Sequence, residues 1–132
     1  MSVPVVAVRY YGMASHHDLG RTGEALAAAY LQARGWTVLD RNYRFGHKEI
    51  DLVVRRGRTV AFVEVKSRAS SRFGDPILAI TRAKRREIHR VATVWIARHG
   101  HVGDEYRFDA VTVVWNAGQT VISHVEDAWR GG

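Results

Sequence analysis

Apolar residues recur along the chain at two periods. Residues 24–34 are rich in Ala and Leu, with Leu26, Ala29, Tyr30 and Ala33 at helical spacing, and Gly35 supplies a stop. Residues 36–39, 50–54, 59–65, 106–115 and 121–125 are short apolar, β-branched runs that predict five strands. Between the second and third, Arg55-Arg56-Gly57-Arg58 is a hairpin turn signal, and residues 41–48 form a polar, basic connection. Asp75-Pro76 is a helix entry that opens a helical pattern running to about residue 98. Within it Ile80, Ile88, Val91, Ala92, Trp95 and Ile96 lie on the apolar side, and Thr81 can cap a second, separate helix. A short turn is expected at 126–129. The order helix, three strands, helix, two strands predicts an α/β fold over residues 18–132: one mixed five-stranded sheet flanked by helices. Residues 1–17 are expected to be an irregular arm ending in His16-His17.

Composition narrows the class. A chain of 132 residues, 46% hydrophobic and with two prolines, suits one folded domain with a modest core. No apolar run approaches the roughly 18–20 residues that cross a bilayer, and the apolar start is broken by Pro4 with no basic segment before it. There is no cysteine, which excludes disulfides and thiolate zinc sites and fits a reducing cytoplasm. Twenty Lys and Arg against thirteen Asp and Glu give a net charge of +7, which attracts polyanions. Without a basic amphipathic anchor or a lipidation signal, the expected partner is nucleic acid rather than a membrane.

The chemistry concentrates in the hairpin. Glu49 and Asp51 share one face of their strand, and Glu64 and Lys66 share one face of theirs. With a two-residue loop at Arg56-Gly57, Glu49 faces Glu64 and Asp51 faces Phe62. With a four-residue loop, Asp51 faces Glu64 directly. Both registers put Asp51, Glu64 and Lys66 on the same face; a three-residue loop separates them unless a bulge restores the phase. Opposed Cβ atoms lie about 4.5–5.5 Å apart, close enough for two carboxylates to share one cation. Hard oxygen ligands suit Mg²⁺ or Mn²⁺, an ion that takes few carboxylates and leaves room for water and phosphate. Such an ion lowers the pKa of water and neutralises charge building on a phosphate, and Lys66 can orient the attacking water or stabilise the transition state. The plain alternative is a solvated strand face. Against it, residues 60–65 are otherwise apolar, and charge at the end of an interior strand is costly unless paired or ligating.

The Asp51 … Glu64-Val65-Lys66 pattern resembles the PD-(D/E)XK nuclease superfamily. Further segments resemble one branch of it, the YraN-like family of uncharacterised bacterial proteins, which is similar to archaeal Holliday junction resolvases. They are Gly23-Glu24-Ala25, Arg41-Asn42-Tyr43-Arg44, Glu49-Ile50-Asp51-Leu52, the run from Phe62 to Arg68, Phe73-Gly74-Asp75-Pro76, Lys84 and Arg107-Phe108-Asp109, in order across nearly the whole domain. The resemblance implies a restriction-endonuclease-like core. Asp51 and Glu64 become metal ligands, Lys66 the catalytic lysine and the Val65 carbonyl a further ligand. Glu24, expected in the first turn of the first helix, becomes an added acidic ligand or else a partner of the helix dipole. Ile50 stands where proline often precedes the first acid, and His47-Lys48 replaces smaller residues.

The implied activity is Mg²⁺-dependent (or Mn²⁺-dependent) hydrolysis of DNA phosphodiester bonds, in branched or structured DNA. A non-catalytic nucleic-acid-binding protein that keeps the fold is the alternative. Arg82, Arg86 and Arg90, spaced i, i+4, i+8, together with Lys84 and Arg85, form a cationic face suited to phosphates. A homodimer would suit cleavage of two symmetric strands, though no residue demonstrates one. Arg55, Arg56 and Arg58 read as turn residues and Asp109 as structural. The seven histidines lack metal-site spacing, and the four tryptophans read as core or capping aromatics.

Overall fold

The computed structural model describes residues 5–9, 19–69, 80–116 and 118–130. The elements run β1 (Val5–Arg9), α1 (Leu19–Ala33), β2 (Thr37–Phe45), β3 (Lys48–Arg56), β4 (Thr59–Arg68), α2 (Arg82–His99), β5 (Glu105–Asn116) and β6 (Gln119–Trp129). They build one sheet in the order β1-β6-β5-β4-β3-β2. Among the described strands, β4 and β5 are the one parallel pair; the other neighbours are antiparallel. A parallel pair needs a crossover, and α2 lies between these two strands in the chain.

The helices cover opposite faces. Ala27, Ala28, Tyr30 and Leu31 of α1 pack with Trp36, Leu52, Val54, Ala61, Val63, Val111, Val113 and Ile122. Ile88, Val91, Ala92 and Trp95 of α2 pack with Ile50, Val53, Val60, Phe62, Ala110 and Trp129. The interior strand β4 is therefore apolar on both sides, and residues from Val60 to Val63 are fully buried. Its sequence is a continuous run rather than an alternation for that reason.

All five strands expected from the pattern are present, but the sheet has six: Val5–Arg9, expected to belong to an irregular arm, is a strand because its apolar run pairs antiparallel with the open edge of β6. Two strand boundaries and one helix face differ from expectation. The polar segment 41–48 is strand up to Phe45, followed by a turn at Gly46, because its exposed edge position needs no apolar residues. The expected turn at 126–129 continues β6 past a register shift opposite Phe108 and Ala110. In α1 the buried stripe includes Ala27, Ala28 and Leu31, while Ala29 and Ala33 are exposed; alanine favours helix without indicating a face. Thr81 caps α2 as expected, its hydroxyl accepting the Lys84 N–H at 3.1 Å. Asp75-Pro76 lies outside the described residues.

Candidate functional site

The β3–β4 hairpin closes through Gly57-Arg58, with Gly57 at φ +63° and Arg56 opposite Thr59. This is a two-residue turn one position later than Arg56-Gly57, and it produces the register expected of a four-residue loop. Pairing continues to Leu52 opposite Val63. One more step places Asp51 opposite Glu64, and there the strands part. The Val65 N–H donates to Asp51 Oδ2 at 2.7 Å, a side-chain acceptor. Upstream of this point β3 stays with β2, through Tyr43 opposite Ile50 and Arg44 opposite Glu49. Beyond it β4 stays with β5, through Val65 opposite Val111 and Lys66 opposite Thr112. Ile50 packs on the α2 side although Leu52 packs on the α1 side, so the alternation of β3 breaks at Asp51. The divergence opens a notch whose two walls carry the two acids.

Both acids are buried, Asp51 to 9% exposure and Glu64 to 4%. Burial pushes the Asp51 carboxyl up to about 7, reinforced by the charge of Glu64; the Val65 N–H and Lys84 pull the other way. Burial also raises Glu64, against the opposing pull of Lys84 and Lys66. Lys66 Nζ stands 3.8 Å from Glu64 Oε1. Glu64 Oε2 is buried without a hydrogen-bond partner. Two buried carboxyl groups this close share a proton when no cation is present, and a divalent cation can take that proton's place; the hard oxygen donors fit Mg²⁺ or Mn²⁺. Among the described residues, no group of three or more His, Asp or Glu is gathered as a full protein cage.

Glu24 approaches from α1. Burial raises its carboxyl, the Asn42 bond lowers it, and the charges of Asp51 and Glu49 raise it again. Its Oε2 accepts from Asn42 Nδ2 at 3.2 Å. Helix α1 begins at Leu19, so Glu24 lies beyond the first turn, which removes the helix-dipole role considered for it. Sequence reasoning missed Asn42, which holds φ +50° in the middle of β2 and aims its amide at Glu24. Asparagine tolerates that left-handed backbone better than most residues, and its place in Arg41-Asn42-Tyr43-Arg44 was the available signal. Glu49 bonds Arg44 at 3.2 Å and stands as a neighbour of the site.

The cationic face of α2 divides. Lys84 turns toward the acids, whose pKa values it lowers. Arg82, Arg86 and Arg90 are exposed. Arg55 is more than a turn residue: it grips Asp104 through two bonds of 2.8 and 2.9 Å, tying the hairpin to the segment before β5. Asp109, fully buried, is structural as expected. It accepts from Arg107 at 3.0 and 3.1 Å and from the Asp127 N–H at 3.0 Å, and it meets His124 Nε2 at 2.8 Å. Trp36, Trp95 and Trp129 are buried, in line with a core role.

Residues 23–113 match the profile of the uncharacterised protein family UPF0102. A UPF0102 protein of Chlorobium chlorochromatii is 47% identical over 118 residues, covering 85% of this chain and 91% of its own. A UPF0102 protein of Geobacter metallireducens is 38% identical, covering 86% and 93%. One of Anaeromyxobacter dehalogenans is 43% identical, covering 86% and 84%. The match begins at Gly23-Glu24 and takes in the hairpin, Lys84 and Asp109, so the chain belongs to the UPF0102 family, the YraN-like proteins.

Proposed function

We propose that the chain is a divalent-metal-dependent endonuclease of the PD-(D/E)XK type, similar to Holliday junction resolvases, that hydrolyses DNA phosphodiester bonds in branched or structured DNA in the cytoplasm. The observation that supports this most is the buried Asp51–Glu64 pair with Glu64 Oε2 left without a partner where β3 and β4 part. Asp51 and Glu64 would hold Mg²⁺ or Mn²⁺, with Glu24 and the Val65 carbonyl as further oxygen ligands. The ion would supply positive charge beside the scissile phosphate. Asp51 is oriented by the Val65 N–H, which leaves its second oxygen for the ion. Lys66 lies beside Glu64 yet not in tight contact, free to meet a phosphate oxygen or to orient water. Water oxygen adds to phosphorus, and the departing ester oxygen takes up a proton.

The test is cleavage of linear, single-stranded, flapped and four-way DNA with Mg²⁺ or Mn²⁺. Asp51→Asn, Glu64→Gln and Lys66→Ala should each lower the rate by about 10²-fold or more. No mutation-sensitive cleavage across the panel would sink the enzyme reading. With no cleavage in that panel, salt-sensitive DNA binding that needs neither metal nor Glu64 would favour the non-catalytic nucleic-acid-binding protein instead.

A further inference from the structure

A second basic feature lies on the other flank of α2. Arg82, Arg85 and Arg86 from the start of the helix and Arg130 after β6 line a pocket of about 330 Å³. Four guanidinium groups converge there with little compensation. Among the described residues, Arg130 bridges Asp127 at 3.0 Å, while Arg82, Arg85 and Arg86 make no salt bridge. The first turn of α2 contains no acidic residue, so these cations stand against the positive end of the helix dipole. The guanidinium of Arg85 lies over the Trp129 ring, 5.6 Å from its centroid. Its Nε is buried without a partner, and so is Trp129 Nε1. Of these two donors the Arg85 Nε belongs to a residue that lines the pocket, where it lacks an acceptor, and the planar fork of arginine matches phosphate oxygens.

We infer that this pocket binds a backbone phosphate of a nucleic-acid strand, at a position beyond the scissile phosphate that the cation held by Asp51 and Glu64 would meet. The inference rests on the nucleic-acid reading of the acid site and deepens it. Lys84 and Arg85 are consecutive residues of one turn, about 100° apart around the helix. Lys84 faces the acid pair, and Arg85 faces the arginine pocket. One helical turn therefore bridges two phosphate positions. The exposed guanidinium groups of Arg86 and Arg90 extend the track along α2.

The experiment uses the full chain in EDTA, so binding is read apart from cleavage. A short blunt-ended DNA duplex is titrated while affinity is followed against salt and the Arg85 Nε–Hε signal is followed by NMR. The duplex should shift that signal. The double variant Arg82→Gln/Arg86→Gln should bind about tenfold more weakly at moderate salt, with the salt slope reduced by about two. Arg58→Gln, at the far end of the hairpin, should change neither. An unchanged slope and affinity in the double variant overturn the inference. So does an Arg85 signal that inorganic phosphate shifts but the duplex does not, since that assigns the pocket to a free anion. Loss of cleavage with this binding intact refutes the nuclease reading alone and leaves the pocket standing.

Discussion

Asp51 keeps a proton at a pH where a free aspartate has long lost it, because it is buried and faces Glu64 across the notch. Above neutrality the folded chain must hold two neighbouring carboxylates charged with no cation between them, which opposes folding. Asparagine at position 51 preserves the acceptor for the Val65 N–H and removes one charge. Asp51→Asn is therefore expected to raise metal-free stability at pH 8, by about 1 kcal/mol or more. The same substitution should abolish stabilisation by Mg²⁺, which for the unaltered chain reaches about 2.7 kcal/mol at a hundred times Kd. Denaturant unfolding with and without Mg²⁺ measures both effects. A variant that is weaker without metal, or that still responds to it, would contradict the assignment of Asp51 as a ligand.

At the scale of elements, the site depends on how closely α1 sits on β4. Gly23 faces Ser67 with no room for a side chain: a Cβ on Gly23 would collide with the Ser67 hydroxyl and approach its Cβ to 3.0 Å. Glu24 follows directly, so this contact sets its distance from Asp51. Gly23→Ala should cost about 1–3 kcal/mol by overpacking. Ser67→Gly should recover part of that loss in the double variant, giving a favourable coupling in a double-mutant cycle. Additive effects would mean the contact does not position the helix. Much of this frame was legible beforehand: the apolar runs marked the strands, and two of the three hairpin registers brought Asp51, Glu64 and Lys66 to one face. The outward half of β2 and the tail of β6 were not, because strands with one exposed face need few apolar residues. Nor was the part played by Asn42, whose bond to Glu24 joins residues 18 positions apart. Arg55 was invisible for the same reason, since Asp104 lies 49 positions away.

Across the whole molecule, two sets of carboxylates respond to pH in opposite senses. Arg55 and the His101 N–H hold Asp104 far below the usual carboxylate range. Burial alone would raise Asp109, but His124, Arg107 and the Asp127 N–H hold it low. Both bind fewer protons folded than unfolded, so their stabilisation is complete above the unfolded pKa, near 4, and is lost as pH falls through the folded values. Asp51 is the reverse: between about 4 and 7 the folded state binds the extra proton, so stability declines as pH rises through that window. Glu24 and Glu64, also raised, act in the same direction. The metal-free chain should therefore be most stable in mildly acidic solution and lose stability both below pH 4 and toward pH 8. Saturating Mg²⁺ should remove the loss on the alkaline side and leave the acid limb unchanged, because Asp104 and Asp109 are held by Arg55, Arg107 and His124 rather than by the proposed metal ligands. Thermal unfolding from pH 3 to 9, with EDTA and with Mg²⁺, reads the two limbs separately. Glu64→Gln should make the alkaline limb shallower without metal, since it removes Glu64's own titration and the charge that reinforces burial in raising Asp51. A metal-free profile that climbs steadily to pH 8 would show that the acid pair is not strained as its burial implies, and the strongest support for a cation between Asp51 and Glu64 would be gone.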